Sequence, residues 1–266
     1  ILHLIWQDRR NGYDIYYKRS TDGGTSWGAD IRLTGDSADA GTPALAVSGT
    51  FVHVAWIDHR FGSNQLFYKR SIDGGTSWGA DTRLVNSTAG SYYPSIAVSA
   101  SIVHIVFNQY FNGYSELCYK RSTDGGTSWS ADTWLTNNGA GTAFSPSVAV
   151  NGALVQVAWC DSHEGNFEIY HKRSTDSGAN WGAVTRLTNT STTSYTPTIA
   201  VTASIVQVVW QEYINSKWQL KHIRSTDGGI SWGTIFQLTN STGNSVLSNI
   251  AVSASSVHLV WSDNRN

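Results

Sequence analysis

An all-β fold, a β-propeller of four-stranded antiparallel blades, is predicted by three recurrences. The string Ser-x-Asp-x-Gly-x-x-Trp occurs five times, starting at Ser20, Ser71, Ser122, Ser174 and Ser225, with spacings of 51, 51, 52 and 51 residues. An apolar-His/Gln-apolar-x-aromatic segment occurs six times, ending at Trp6, Trp56, Phe107, Trp159, Trp210 and Trp261. An Ile/Leu/Val-Ala-Val segment occurs five times, at Leu45, Ile96, Val148, Ile199 and Ile250. A period of about 50 residues built from short apolar runs is the pattern of propeller blades.

The second repeat shows the unit. Residues 44–48 form a short apolar strand, a. Residues 51–57 form strand b, with β-branched and aromatic residues and no helical period. Residues 65–70 form strand c, 71–78 a Gly-rich turn, and 82–85 strand d. Turn residues separate each pair. One such sheet cannot bury both of its faces, but radial stacking of several does. Strand a, as the innermost, is expected to be the most apolar because neighbouring blades cover both its faces. All 266 residues are thereby expected to form one domain, 1–266.

Composition agrees. The chain has 25 Gly, 12 Trp and 12% aromatic residues, which suits many turns and many packed rings. Only 14% of residues are charged and the net charge is -1, so nothing points to nucleic acid or an anionic membrane as partner. No apolar run approaches the roughly 20 residues of a membrane span. The chain holds no Met and opens on Ile1-Leu2-His3-Leu4, which fits a removed leader or a segment of a larger protein equally. Low Lys with abundant Ser, Thr and Gly leans towards a secreted or cell-surface location. Cys118 and Cys160 read as two isolated, half-buried thiols.

The five turns read Ser-Thr-Asp-Gly-Gly-Thr-Ser-Trp, Ser-Ile-Asp-Gly-Gly-Thr-Ser-Trp, Ser-Thr-Asp-Gly-Gly-Thr-Ser-Trp, Ser-Thr-Asp-Ser-Gly-Ala-Asn-Trp and Ser-Thr-Asp-Gly-Gly-Ile-Ser-Trp. They resemble the Asp box, or bacterial neuraminidase repeat, of sialidase-like propellers, over essentially the whole chain. Asp22, Asp73, Asp124, Asp176 and Asp227 are expected to accept backbone N–H groups inside the turn. Trp27, Trp78, Trp129, Trp181 and Trp232 are expected to plug the blade, so that Trp→Ala costs about 3–5 kcal/mol. A calcium role is disfavoured, because each turn offers a single carboxylate. The resemblance implies that these turns lie on the face remote from the ligand.

Five blades are expected, with six as the alternative. The C-terminal strands (a, 249–253; b, 257–261) are expected to join the N-terminal blade and close the ring. One strand b is then surplus, since 2–6 and 257–261 compete for a single slot. An unpaired strand of this kind favours oligomers.

Chemistry is expected where the b–c and d–a loops meet, opposite the conserved-looking turns within the chain. The candidate ligand-binding residues are Asp8, Arg10, Asp58, Arg60, Tyr93, Gln109, Asp161, His163, Tyr195, Glu212, Asp263 and Arg265. Carboxylates, guanidinium groups and rings on one rim suit sugars. The competing explanation is that Asp-x-Arg is a local salt bridge shaping each b–c hairpin. The resemblance implies, for sialidase chemistry, three arginines on a carboxylate, a Tyr–Glu pair and an Asp acid/base. The Arg-Ile-Pro element is absent and no triad assembles, so no catalytic residue is assigned. No metal site or cofactor is expected. His3, His53, His104 and His258 in strand b are expected to have polar partners within the sheet. The sequons at Asn86, Asn189 and Asn240 read as turn residues. The expected function is a non-catalytic propeller binding glycan or protein. The alternatives are a sialidase-like glycoside hydrolase or a purely structural scaffold.

Overall fold

The computed structural model describes residues 1–35, 39–111, 113–137, 139, 141–253 and 256–265. Every regular element is a strand, and neighbours in each sheet are consecutive in the chain. The first sheet has three strands, β1 (Leu2–Asp8), β2 (Asp14–Ser20) and β3 (Ile31–Arg32). Four sheets of four strands follow. They are β4 (Ala40–Ser48), β5 (Phe51–Asp58), β6 (Gln65–Ser71) and β7 (Thr82–Arg83); then β8 (Ser91–Ser99), β9 (Ile102–Phe111), β10 (Tyr114–Ser122) and β11 (Thr133–Trp134). The next are β12 (Ala143–Asn151), β13 (Leu154–Asp161), β14 (Glu168–Ser174) and β15 (Thr185–Arg186); then β16 (Ser194–Thr202), β17 (Ile205–Ile214), β18 (Lys217–Ser225) and β19 (Phe236–Gln237). The last sheet is the pair β20 (Ser245–Val252) and β21 (Val257–Asp263). Two compact units divide the chain, Ile1–Phe111 with Tyr119–Thr133, and 112–118 with Trp134–Asn266.

The terminal sheets depart from the expected closure. β20 pairs with β21, the strand that directly follows it, and β1 pairs with β2. Neither sheet combines head and tail strands. The competition between the two b strands is thus resolved locally. β21 takes its own sequence neighbour, a contact closed by a short loop at small entropic cost.

Strand b, not strand a, is the most buried. β5 is buried from Val52 to Asp58, whereas β4 is mostly half-buried. Strand b has hydrogen-bonded neighbours on both edges, while strand a is an edge strand of small residues. The cores form between consecutive sheets. In the first unit Ile15, Tyr17, Val52, Val54, Trp56 and Phe67 pack together. In the second, Ala158, Ile169, Val208 and Trp210 do the same.

The c–d turns are built as the residue types require. Ser71 Oγ donates to Asp73 Oδ1 and accepts from Gly75 N, and the Ser77 N–H and hydroxyl both donate to Asp73. The same set recurs around Asp22, Asp124 and Asp227. In the fourth turn Asn180 replaces the second Ser and bonds Asp176 through its side-chain amide. Hydroxyl donation by Ser26, Ser77, Ser128 and Ser231 holds the four carboxyls well below the usual range. The N–H and side-chain amide of Asn180 hold Asp176 at about 2.

The turn tryptophans Trp78 and Trp232 pack on the cores beside their own sheets, and three of the five also reach a ring of the preceding repeat. Trp78 meets Tyr17 of the preceding repeat edge-on at 4.9 Å, Trp129 meets Tyr68 at 4.9 Å, and Trp232 meets His171 at 4.9 Å. Trp27 is 42% exposed. An arginine at the end of strand c completes these three joints. Arg19 donates to Gly74 O at 2.9 Å, Arg173 to Gly228 O at 3.1 Å, and Arg70 to Gly125 O. The fifth turn residue must be glycine for this reason. A Cβ on Gly75 would lie 1.8 Å from the Tyr17 hydroxyl, and its φ is +80°.

Three of the four strand-b histidines find polar partners across the sheet; His258 lies on β21, which among the described residues pairs only with β20. His3, His53 and His104 bond Tyr17, Tyr68 and Tyr119 at 2.7, 2.6 and 2.7 Å. In the fourth and fifth sheets the pair is exchanged as a unit, with His171 on Gln156 and His222 on Gln207, both at 2.5 Å. Cys118 and Cys160 are fully buried rather than half-buried and form no disulfide, and burial pushes the Cys160 thiol up to about 12. No helix among the described residues is long and apolar enough to cross a membrane.

Candidate functional site

The end of each sheet that carries the b–c and d–a connections is shaped by strand a. Register shifts fall between Gly41 and Ala44, Tyr92 and Ser95, Phe144 and Ser147, Tyr195 and Thr198, and Val246 and Asn249. Each bulge places one non-glycine residue in the left-handed region: Thr42, Tyr93, Ser145, Thr196 and Leu247, with φ between 46° and 54°. Such backbone costs about 1–3 kcal/mol per residue and persists only where its surroundings enforce it. The next residue is proline in four of the five, at Pro43, Pro94, Pro146 and Pro197. A bulge tolerates the missing N–H and re-aims the side chains before it. Strand a consequently begins near residue 40, not 44, in the second sheet.

The acidic residues of the b–c loops close on their own hairpins. Trp6 Nε1 donates to Asp8 at 3.0 Å, and the Arg10 guanidinium donates to Asp8 and to Asp30. Trp56 and Arg60 repeat this on Asp58, with Asp81 as the second acid. Arg10 and Arg60 also lie over the rings of Tyr16 and Phe67, at 4.6 and 4.5 Å. The Arg10 guanidinium holds the Asp8 carboxyl below its usual range. Burial raises the Asp58 carboxyl, but Arg60 and Trp56 outweigh it and leave it lowered. In the second unit Trp159 bonds Asp161, which accepts the His163 N–H at 3.0 Å. Trp210 bonds Glu212 at 3.3 Å, and Asp263 accepts the Arg265 N–H at 2.9 Å. In the third sheet Phe107 and Gln109 replace tryptophan and acid together, and Gln109 is buried. Each pair therefore has partners inside its own sheet. The candidate residues do not gather into one constellation within either unit.

A second set of carboxylates is buried beside these loops. Asp14, Glu116 and Glu168 open strand c and meet Thr34, Thr136 and Thr188 after strand d. Each threonine hydroxyl also accepts a strand-c N–H, at Ile15, Leu117 and Ile169. Gln219 and Thr239 repeat the arrangement. It ties strand c to the segment that follows strand d. No group of three or more His, Cys, Asp or Glu able to hold a metal ion occurs among the described residues.

Rings supply the rest of this end. In the second unit Phe144, Phe167, Tyr195 and Trp218 form a continuous row, with successive centroids 6.2, 4.5 and 5.9 Å apart. Tyr213 flanks Trp218 at 5.1 Å. In the first unit Tyr92 contacts both Tyr93 and Tyr110. Tyr93, Tyr110 and Tyr213 each remain more than two-fifths exposed. A cavity of about 350 Å³ opens there, with Gln7, Tyr13, Asp39, Asn64, Tyr92 and Tyr93 in its walls. Of these, Tyr93 stands among the candidate ligand-binding residues and Tyr92 among the d–a loop rings that the sequence points to. The signal that could have found the others is the proline two residues before four of the five Ile/Leu/Val-Ala-Val segments, which marks the bulge and hence the aimed side chains.

No protein-family model matches the chain, and no curated protein matches it. Solved structures do. A Hadza microbial sialidase is 15% identical, with a TM-score of 0.64, over 93% of this chain and 56% of its own. A protein of unknown function from Dyadobacter fermentans is 13% identical, with a TM-score of 0.62, over 85% and 76%. Penicillium chrysogenum α-L-arabinanase in complex with arabinobiose is 14% identical, with a TM-score of 0.56, over 83% and 79%. The likeness shows the fold, a sialidase-like β-propeller of four-stranded antiparallel blades. This chain spans little more than half the length of the sialidase.

Proposed function

We propose that this protein binds carbohydrate, without cleaving it, at the b–c/d–a end of its sheets. The observation that carries the proposal is the combination of exposed tyrosines set on bulged backbone with charged groups that are already engaged. Rings that stay exposed offer flat apolar faces to a sugar, and amide and hydroxyl groups nearby satisfy its hydroxyls. The similar solved structures include glycosidases, one of them holding arabinobiose, which supports a saccharide as the ligand class. Titration of neutral and sialylated oligosaccharides, followed by saturation-transfer NMR, tests it. Transfer to at least one saccharide is expected. No transfer to any of them overturns the proposal.

A glycoside hydrolase is the second reading, favoured by the sialidase and arabinanase names among the neighbours. Against it stand the ion pairs of Arg10 and Arg60, whose guanidinium groups are occupied by Asp8, Asp30, Asp58 and Asp81. A carboxylate-gripping site would need them unoccupied. Turnover of a fluorogenic sialoside or an aryl arabinofuranoside would replace the binding proposal with this one.

A further inference from the structure

The cavity of the first unit has a specific origin. Comparing equivalent positions along the repeats, the residue before each bulge is Gly41, Tyr92, Phe144, Tyr195 and Val246. The equivalent residue where strand c begins, just before Asp14, Gln65, Glu116, Glu168 and Gln219, is Tyr13, Asn64, Ser115, Phe167 and Trp218. In the second unit the row runs Phe144, Phe167, Tyr195, Trp218, and rings fill it without interruption. In the first unit Gly41 and Asn64 occupy the places of Phe144 and Phe167, between Tyr13 and Tyr92. Two rings are missing from an otherwise aromatic row, and the 350 Å³ cavity is lined by the residues that replace them. It lies within the size range of small-ligand sites.

The lining is built rather than merely empty. A Cβ on Gly41 would lie 3.1 Å from Gln7 Nε2, so the glycine lets the Gln7 amide come against strand a. Arg9 stacks on Tyr13 at 4.5 Å and fixes that ring. Ser91 N–H donates to Asn64 O at 2.8 Å, which ties the start of β6 to that of β8. Tyr93 reaches the cavity from a left-handed backbone conformation, φ 49°. The polar groups are amides, a hydroxyl and phenols. Asp39 is the one formally charged side chain in the lining. A cavity with ring walls, amide donors and a single negative charge suits a neutral sugar and repels a sialylated one.

We propose that the cavity formed at Gly41 and Asn64 is a binding site for one neutral sugar residue, and that anionic sugars are excluded from it. This rests on the carbohydrate-binding proposal above. The test uses the wild-type chain with Gly41→Phe and Asn64→Phe, each restoring a ring that the second unit carries at the same position. Gly41 does not sit at positive φ, and its nearest neighbour is the end of a flexible side chain, so the larger residue can be housed. Ile72→Ala, at an exposed c–d turn residue, is the control. Arabinobiose, lactose and 3′-sialyllactose are the probes, read by calorimetry and saturation-transfer NMR, with thermal unfolding to confirm folding. Binding of a neutral disaccharide by wild type and control is expected, with a loss of about tenfold or more in both filled variants. Tyr93→Ala should weaken it also, without filling the cavity. Neutral-sugar binding unchanged in all three variants places the ligand elsewhere and overturns this inference while leaving carbohydrate binding intact. Tighter binding of 3′-sialyllactose overturns the assigned sugar class. No binding of any probe by wild type overturns both proposals together.

Discussion

At the scale of single residues, the chain spends its polar groups in fixed partnerships, and the buried histidines show what this implies for pH. Burial pushes His53 and His104 down to about 4 and His171 to about 3, from an ordinary value of 6.5. Between these values the unfolded chain takes up protons that the folded chain refuses, so stability falls as pH drops from about 6.5 towards 4. The depressed carboxyls of the c–d turns add a further loss below about 4, where they protonate only on unfolding. A melting temperature that declines steadily from pH 6.5 to 4 is expected. His53→Gln should flatten that decline, since the fourth and fifth sheets already use Gln156 and Gln207 at this place. A melting temperature constant across the window would contradict the assignment of neutral, buried rings.

At the scale of elements, the joint between successive repeats is the unit of stability. Trp78 packs on Tyr17 and Arg19 reaches Gly74, whereas Trp27 is 42% exposed. Trp78→Ala is expected to cost about 3 kcal/mol, as for a ring lost from a packed site. Trp27→Ala should cost less than about 1 kcal/mol. Urea unfolding of the two variants side by side decides it, and equal losses would refute the joint. Strands b and c and the c–d turns were legible from sequence, because alternation, Gly placement and the repeat itself agree there. The inter-repeat use of the tryptophans was not, since a motif does not say which sheet its ring will meet. The outer half of strand a was missed because proline reads as a break, while here it sits in a bulge. The local clamp between Asp8 and Arg10 could be foreseen as a pair; the cavity could not. It depends on two rings being absent at Gly41 and Asn64, and only the strand register aligns those positions with Phe144 and Phe167.

At the scale of the whole molecule, the first and last sheets have three and two strands among the described residues. Their edge strands carry apolar side chains in solvent, Leu2 and Leu4 on β1 and Val257, Val260 and Trp261 on β21, with Val260 67% exposed. Unpaired edges of this composition favour association with other strands. Self-association that rises with concentration is expected in light scattering, and Val260→Lys should reduce it. A monodisperse monomer at every concentration would count against it. The direction of the joints has one more consequence. Tyr17, Tyr68 and His171 each wait for a ring that arrives 61 residues later in the sequence. On the ribosome, then, a repeat that has fully emerged is still half-clad until its successor leaves the exit tunnel. Synthesis should lay the protein down as tiles are laid on a roof, each course weatherproof only once the next overlaps it.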